Sequence, residues 1–576
     1  MARPPLPELG PHLASAGVFL VLRRMRLPLI ALIVIFAVSV LGLSLIPGQD
    51  DASRPDRMSL FDSFYFMSYT ATTIGFGELP NEFTAAQRMW VTVTIFLSVI
   101  GWAYAIGSLL SLMQDQGFRQ ALARRSFTQS VRRMGEPFLL LVGYGNASKM
   151  LARSLDDMGR RFVVMDKDHA RVSAVELDAY RADAPALHGD ARDTGLLTLA
   201  GLGHGTCEGV VALAGDDETN LDVAMTTALL RPDLPVIARS ASREVAERMR
   251  AFHVQEVVNP LDRFGDHLRI LLRSPAAYQL MIWLTSAPGS PLPRRYEPLP
   301  LGRWVICGHG RYGDELSSDL RAEGLDVTVV HVAGGRVLGG EGDSAHVVES
   351  GHVADAVGFV AATANDTTNL WLVEAGRRAN PDAFLVALQN RRANAPLFEA
   401  IGVDFGLVPA EVIAHEVLAR LANPVLMRFL PQVPHQGDEW AAELVERLGK
   451  KCGPGTPDLW RIRLDNDEAP ALEDRLEGPG LRLGDLMRDP ADRQHPLDIV
   501  PLTLLRDGDR TMTPSDDTVL RTGDALLLAG RLRARAALRS TMTDRSMASY
   551  VLDGRRIPSS WIWRRLTRSD SISRTS

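Results

Sequence analysis

Hydrophobic positions are crowded into the front of the chain and patterned differently behind it. Leu27 to Ile46 is a run of 20 residues without a charge, and Met89 to Met113 is a second of 25. At about 1.5 Å rise per residue, each makes a helix long enough to cross a hydrocarbon core of about 30 Å. Between them, Ser59 to Tyr69 (SLFDSFYFMSY) is apolar and aromatic but too short to cross, and it predicts a re-entrant helix. No comparable run follows Met113. After an Arg-rich connector from Gln116 to Gly135, short apolar runs alternate with helical stretches. Phe138 to Val142 predicts a strand, Gly143 to Ser148 a turn opening a helix to Met158, and Arg161 to Met165 a second strand closing on Asp166. The fold class predicted is therefore membrane α, two spans plus a short intervening helix, fused to α/β.

Composition refines this picture. A chain of 576 residues suggests three or four domains at roughly 150 residues each. Charged residues make up 23% and hydrophobic residues 46%, which excludes a disordered or low-complexity chain. Lys and Arg total 63 against 69 Asp and Glu, a net charge of −6 that argues against a general nucleic-acid binder. Three distant cysteines, Cys207, Cys307 and Cys452, exclude a disulfide framework and the common cysteine zinc patterns. A signal peptide accounts poorly for the first run, which is longer than an h-region, lacks a small-x-small cleavage site and is followed by another membrane segment. Arg23, Arg24 and Arg26 precede the first span, and Arg119, Arg124, Arg125, Arg132 and Arg133 follow the second. Counting these places both ends on the cytoplasmic side of an inner membrane.

Directly after the short helix stand Thr72, Thr73, Ile74, Gly75, Phe76, Gly77 and Glu78. A backbone that turns successive carbonyls to one axis must alternate ordinary and left-handed dihedrals, and glycine adopts the latter without penalty. Two glycines spaced by one residue suit a stack of carbonyl rings that replaces an ion's water shell. The segment closely resembles the T-x-G-[Y/F]-G signature filter of tetrameric potassium channels, in the subclass with two membrane helices. The resemblance implies a pore domain over 27–115, with spans at 27–47 and 86–113, pore helix and filter at 59–80, and potassium held at Thr73, Ile74, Gly75 and Phe76. Phe76 replaces the commoner tyrosine and Glu78 the usual aspartate, which opens the question of how strictly sodium is excluded. In the second span Gly101 and Gly107 are candidate gating hinges, with close helix packing as the alternative.

In the soluble part, Gly143-Tyr144-Gly145-Asn146-Ala147-Ser148 between strand and helix fits a nucleotide phosphate at the helix N-terminus. Asp166, 23 residues past Gly143, stands where a ribose-binding acid is expected, and Asp190 is a further candidate. The alternative is that the glycines only allow close helix–strand packing. The pattern repeats: Trp304 to Cys307 leads into Gly308, Gly310 and Gly313, while His331 stands where an acid is expected. Asp217-Glu-Thr-Asn220 matches Asp366-Thr-Thr-Asn369, and Gly189-Asp190 matches Gly342-Asp343. These features resemble the tandem RCK domains (regulators of potassium conductance, TrkA-N-like) appended to prokaryotic potassium channels. The boundaries expected are 1–26 N-terminus, 116–135 linker, 136–285 first RCK domain, 302–425 second Rossmann-like N-lobe, 437–545 a small α+β C-lobe, and 546–576 a disordered tail.

The resemblance implies a homotetramer in a lipid bilayer, with a cytoplasmic ring of RCK domains gated by NAD(H) or an adenine nucleotide, or by a divalent cation such as Ca2+. Asp216, Asp217 and Glu218 form an acidic run, a pattern more often found in a solvated turn, and no metal site beyond potassium is assigned. Three other functions stand beside a ligand-gated potassium channel. One is a poorly selective cation channel of the same architecture. Another is a membrane-anchored NAD-dependent oxidoreductase, disfavoured because no Tyr-x-x-x-Lys pair occurs in a chain with four lysines. A regulatory subunit of an uptake system would lack a pore of its own. The chain is read as a channel and not an enzyme.

Overall fold

The computed structural model describes residues 12–49, 55–78, 82–252, 254, 256–308, 311–333, 336–337, 352–422, 425–478 and 480–555. The chain divides into two compact units. One holds residues 1–136 with the short segments Pro185–Leu187 and Gly195–Thr206, and the other holds the rest.

In the first unit, helices His12–Leu45 and Ala85–Gln114 pack along one another. Their apolar stretches, Met25–Leu45 and Ala85–Gln114, are each long enough to cross a membrane. Small residues set the approach. A Cβ on Gly42 would come within 2.1 Å of the Trp90 ring, whose Nε1 donates to the Ser39 carbonyl at 3.1 Å. The first helix starts earlier than the apolar run indicates, inside the segment read as an N-terminus, because Leu, Ala and Val upstream are also competent helix formers. The connector read as a linker is likewise a helix, Gln116–Arg132. Between the spans, Leu60–Ala71 is a helix capped by Ser59, whose hydroxyl accepts from Asp62 N at 3.1 Å. Its inner face packs Phe66, Met67 and Tyr69 with Val40, Leu43, Phe83 and Val91. Outer faces carry exposed Leu27, Ile33, Phe96 and Ile100, an apolar surface that a monomer in water would not leave open.

The second unit contains two copies of a parallel Rossmann-like sheet. In the first copy the strands run in the order Arg161–Asp166, Phe138–Val142, Cys207–Ala212, Val236–Arg239 and Glu256–Val258. In the second they run Asp326–Ala333, Arg303–Gly308, Gly358–Ala362, Phe384–Leu388 and Phe405–Leu407. Continuous apolar runs such as FLLLV are covered on both faces, as parallel strands must be. The copies also exchange their last helices. Pro260–Arg273, closing the first, packs on Arg311–Ala322 of the second, whereas Pro409–Ala422, closing the second, packs on Asn146–Asp157 of the first.

The C-terminal lobe has an antiparallel sheet ordered Asp458–Arg463, Ala525–Gly530, Ile499–Arg506 and Asp509–Met512. Helix Pro275–Thr285, expected to end the first domain, contributes Leu280 and Trp283 to the same core as Leu444 and Leu448 of helix Asp438–Cys452. The tail expected from 546 begins as a helix, Arg545–Asp553, because Ala548 and Val551 are buried against the lobe. The remaining tail, with Gly310 and Gly342-Asp343, lies outside the described residues.

Candidate functional site

Two sites are built by the glycine-bearing segments, one in each unit. In the first, Thr73, Gly75 and Gly77 have φ of +62°, +68° and +98°, while Ile74 and Phe76 between them do not enter the left-handed region. This is the alternation that turns successive carbonyls one way. At Gly75 and Gly77 a Cβ would meet nothing within 4 Å, so dihedral sign and not space demands glycine. Thr73 carries the same conformation on a β-branched residue, a strained arrangement of the kind held at functional sites.

The segment is braced from behind by the short helix. Ile74 N donates to the Tyr69 carbonyl at 2.8 Å, and the Tyr69 hydroxyl donates to the Gly77 carbonyl at 2.7 Å. The Tyr69 and Phe76 rings meet edge to face at 5.3 Å. At the far end, Glu78 accepts two bonds from Arg88, both 2.9 Å, and one from Phe83 N at 2.9 Å. The Arg88 guanidinium, then the Phe83 N–H, hold the Glu78 carboxyl below its ordinary range. Tyr69 and Arg88 escaped sequence reasoning. Tyr69 lies one helical turn before Thr72 and was legible as helix only, and Arg88 is ten positions from its partner with no local motif. The side chains of Thr72, Thr73, Ile74 and Phe76 are exposed on the single chain. Gly101 is buried, and its Cβ would lie 3.0 Å from Ile35 Cδ1 and 3.1 Å from Leu32 Cδ2, whereas Gly107 faces open space. The helix runs unbroken through both.

The second site lies at the carboxyl ends of the first copy's strands, where open α/β sheets bind ligands. Gly143 has φ +87°, and a Cβ there would come within 2.6 Å of Ala214 N, so both conformation and the neighbouring backbone require glycine. Gly145 is the N-cap of helix Asn146–Asp157 without a side-chain cap bond, and a Cβ would meet nothing within 4 Å. Asp166 is buried. Its Oδ2 accepts from Tyr144 N at 2.6 Å and its Oδ1 from Asp168 N at 2.8 Å, with Arg171 Nη1 3.6 Å away. A cleft of about 180 Å³ is lined by Gly143, Asp166, Lys167, Arg171, Asp190 and Thr219 among others. That is below the roughly 300 Å³ of common ligand pockets, so a dinucleotide would extend beyond it.

The other candidate residues separate. Asp190 is exposed at the cleft and accepts from Arg192 N at 3.0 Å. Tyr144 turns inward: its ring is fully buried and its hydroxyl bonds Asp178 at 2.8 Å and also Tyr180. Burial, then these two partners, pushes its phenol up. Ser148 is buried, Asn146 exposed and Ala147 half-buried. The acidic run has other partners. Asp216 caps helix Asp217–Leu230 and pairs with Arg192 at 2.8 Å, Asp217 accepts from Ala241 N and Ser242 N, and Glu218 pairs with Arg248 at 3.1 Å. The Asp-x-x-Asn repeat is a brace in both copies. Asn220 bonds Ala214 N and O and reaches the Arg239 carbonyl, while Asn369 bonds Thr363 N and O and reaches the Leu388 carbonyl. In the second copy, a Cβ on Gly308 would come within 2.8 Å of the Ala362 carbonyl, and Gly313 sits over the Gly308 backbone. Gly308 allows the close approach of strand Gly358–Ala362, and Gly313 that of helix Arg311–Ala322 to its own strand. His331 is exposed on its strand, paired with Gly308.

Comparison with known proteins agrees with this division. Residues 29–115 match an ion-channel domain, and 139–260 and 304–409 each match the TrkA-N domain. Potassium channel protein 1 of Methanocaldococcus jannaschii is 21% identical over 227 residues, 39% of this chain and 63% of the relative. The voltage-gated potassium channel Kch of Escherichia coli is 19% identical over 216 residues, 37% of this chain and 50% of Kch. The chain thus spans less than two thirds of the length of either relative. Among solved structures, the GsuK channel bound to NAD is 16% identical with a TM-score of 0.43, covering 91% of this chain and 99% of that one. The GsuK structure bound to ADP is 19% identical with a TM-score of 0.39, covering 70% and 99%. The chain resembles potassium channels with RCK domains, an ion-channel domain followed by two TrkA-N domains.

Proposed function

We propose that this ion-channel domain and its two TrkA-N domains form a ligand-gated potassium channel. Four chains close a pore in the cell membrane, and a cytoplasmic ring of their RCK domains senses a nucleotide. The observation that carries the reading is the left-handed alternation at Thr73, Gly75 and Gly77, held from behind by Tyr69, between two helices that can span a membrane. Carbonyls of Thr73, Ile74, Gly75 and Phe76 from four copies replace the water shell of a potassium ion. One chain supplies one quarter of such a site, in accord with the exposure of the filter side chains on the single chain.

The regulatory half rests on the first copy. The bare N-cap at Gly145 offers N–H groups to a phosphate, with Asp166 and Asp190 at the ribose end. NAD is bound in one GsuK structure and ADP in another, and the same ligand class suits this cleft. A nucleotide opens or closes the pore only through its different affinity for the two ring states. About 10⁴-fold separates a channel 1% open from one 99% open. Gly101 and Gly107 are the proposed points of bending, Gly101 by sliding against Leu32 and Ile35.

Potassium efflux from vesicles containing the full chain tests the proposal. Wild-type protein should release potassium at a rate that changes on addition of ADP or NAD, and Gly75→Ala should release none. Normal efflux through Gly75→Ala would remove the filter from the account. A second reading, a poorly selective cation pore, is favoured by Phe76 alone, which lacks the hydroxyl a tyrosine would add behind the filter.

A further inference from the structure

A cavity of about 390 Å³ lies in the second unit away from both sites. Its walls are the exchanged helices: Pro260–Arg273 and Pro275–Thr285 on one side, Pro409–Ala422 and the turn Leu430–Gln436 on the other. The lining is apolar over much of its area, through Ile270, Met281, Ile282, Val412, Met427 and Leu430. At 390 Å³ it falls within the size of pockets that bury small organic ligands, and it has their composition, an apolar wall with a few polar groups.

The polar groups are unevenly matched. The acids that line the cavity are already taken. Glu416 accepts from Arg263 at 3.0 and 2.9 Å and pairs with Arg420, Asp266 accepts from Arg263 at 3.0 Å, and Glu323 accepts from Arg269 at 2.8 Å and from Arg273. Two nitrogens are not. His267, 8% exposed, has a buried Nδ1 without a hydrogen-bond partner, and so has Arg420 Nε. Arg420 also meets Glu256, through its terminal nitrogen. A buried polar atom left unpaired costs on the order of 1–3 kcal/mol, so each marks a place where a bond is missing. Burial, with the charges of Arg263 and His415 added, lowers His267 to about 4, so the imidazole is neutral and able to hold a proton on Nδ1. A guanidinium N–H is a donor only. What the cavity lacks is an acceptor beside an apolar body.

We propose that this cavity is a binding site for a small amphipathic carboxylate, its carboxylate accepting at His267 and Arg420 and its alkyl or aryl body lying against Ile270, Met281 and Val412. Such a ligand wedges between helices contributed by the two copies and stabilises their present spacing. The site is independent of the nucleotide cleft, and its test reads binding without reference to conduction.

The full chain in lipid nanodiscs is titrated calorimetrically with 4-phenylbutyrate, with 4-phenylbutanol and with butyrate. Saturable binding of 4-phenylbutyrate at one site per chain is expected, with the alcohol and the short acid weaker by about tenfold or more. His267→Leu, which replaces an imidazole lacking a partner by an apolar side chain, should retain the wild-type unfolding temperature and weaken binding by about tenfold. Thr285→Trp, which narrows the cavity from its wall, should do the same by volume. Absence of saturable binding overturns the proposal, as does unchanged affinity in both variants. Equal affinity for the alcohol overturns the carboxylate assignment.

Discussion

Gly143 and Gly145 stand two residues apart in one turn, and the structure assigns them opposite costs. At Gly143 an alanine must adopt φ +87°, a left-handed conformation that costs about 1–2 kcal/mol for a residue with a Cβ. Its Cβ would also lie 2.6 Å from Ala214 N and 2.7 Å from Ala214 Cα. Both are backbone atoms, so relief means moving the segment that leaves the next strand, and overpacking of that kind adds about 1–3 kcal/mol. The total of about 2–5 kcal/mol corresponds to a fall in unfolding temperature of about 5–15 °C for a domain of this size. At Gly145 the dihedrals, φ −85° and ψ −169°, suit any residue, and the Cβ meets nothing within 4 Å. Gly145→Ala should cost about 1 kcal/mol of capping preference at most. Its methyl, however, stands at the helix N-terminus where a phosphate must approach, so affinity for ADP should fall by about tenfold, or about 1.4 kcal/mol. Thermal unfolding and calorimetry on the full-length protein read the two effects separately. A Gly143→Ala protein as stable as wild type, or a Gly145→Ala protein that binds ADP normally, would refute the reasoning at that position.

The other sites yield predictions of the same kind. Tyr69→Phe removes the hydroxyl that donates to the Gly77 carbonyl at 2.7 Å, a bond worth about 0.5–1.5 kcal/mol. Its ratio of potassium to sodium permeability should fall, and an unchanged ratio would exclude Tyr69 as the brace. Glu78 is held below its ordinary carboxylate range, so its contribution is complete above that range and is lost as external pH falls through the lowered value. Acidification from pH 7 to about 5 should therefore leave the Glu78–Arg88 pair and the current intact, and Glu78→Gln should behave at pH 7 like wild type in stronger acid. Loss of wild-type current already near pH 6 would contradict that sign. Asp166→Ala should lower nucleotide affinity and also unfold earlier, because the Tyr144 and Asp168 N–H groups lose their acceptor at about 1–3 kcal/mol for a buried group. An Asp166→Ala protein of normal stability would show that the carboxylate does not anchor the turn.

What the sequence displayed were features written in short windows. The apolar runs from Leu27 and Met89, the strand–glycine–helix units at Phe138 and Trp304, and the filter glycines all signal through spacing of a few residues. The direction of the Tyr144 side chain is not written in such a window. The turn motif includes it, but the side chain is drawn inward by Asp178 and Tyr180, more than thirty positions away. Asp217 belongs to the acidic run weighed for calcium, yet it and its counterpart Asp366 each accept backbone N–H groups from the following strand's exit, at Ala241 and Ser242 and at Asn390 and Arg391. The exchange of Pro260–Arg273 with Pro409–Ala422 has no local signature, since each helix finds its partner in the other copy, far along the chain. The joining of Trp283 to Leu444 across the second sheet domain is a matter of tertiary packing alone. Exchange and joining together create the cavity at His267, which no window of sequence contains.

The proposed channel conducts potassium selectively through its filter under the control of a nucleotide on its RCK domains. Planar-bilayer recording of the purified protein under opposed potassium and sodium gradients tests it, with ADP and NAD added in turn to the cytoplasmic face. A reversal potential near that of potassium is expected, with an open probability that changes with one of the two nucleotides. A reversal potential near zero, or selective current indifferent to both, would contradict the proposal.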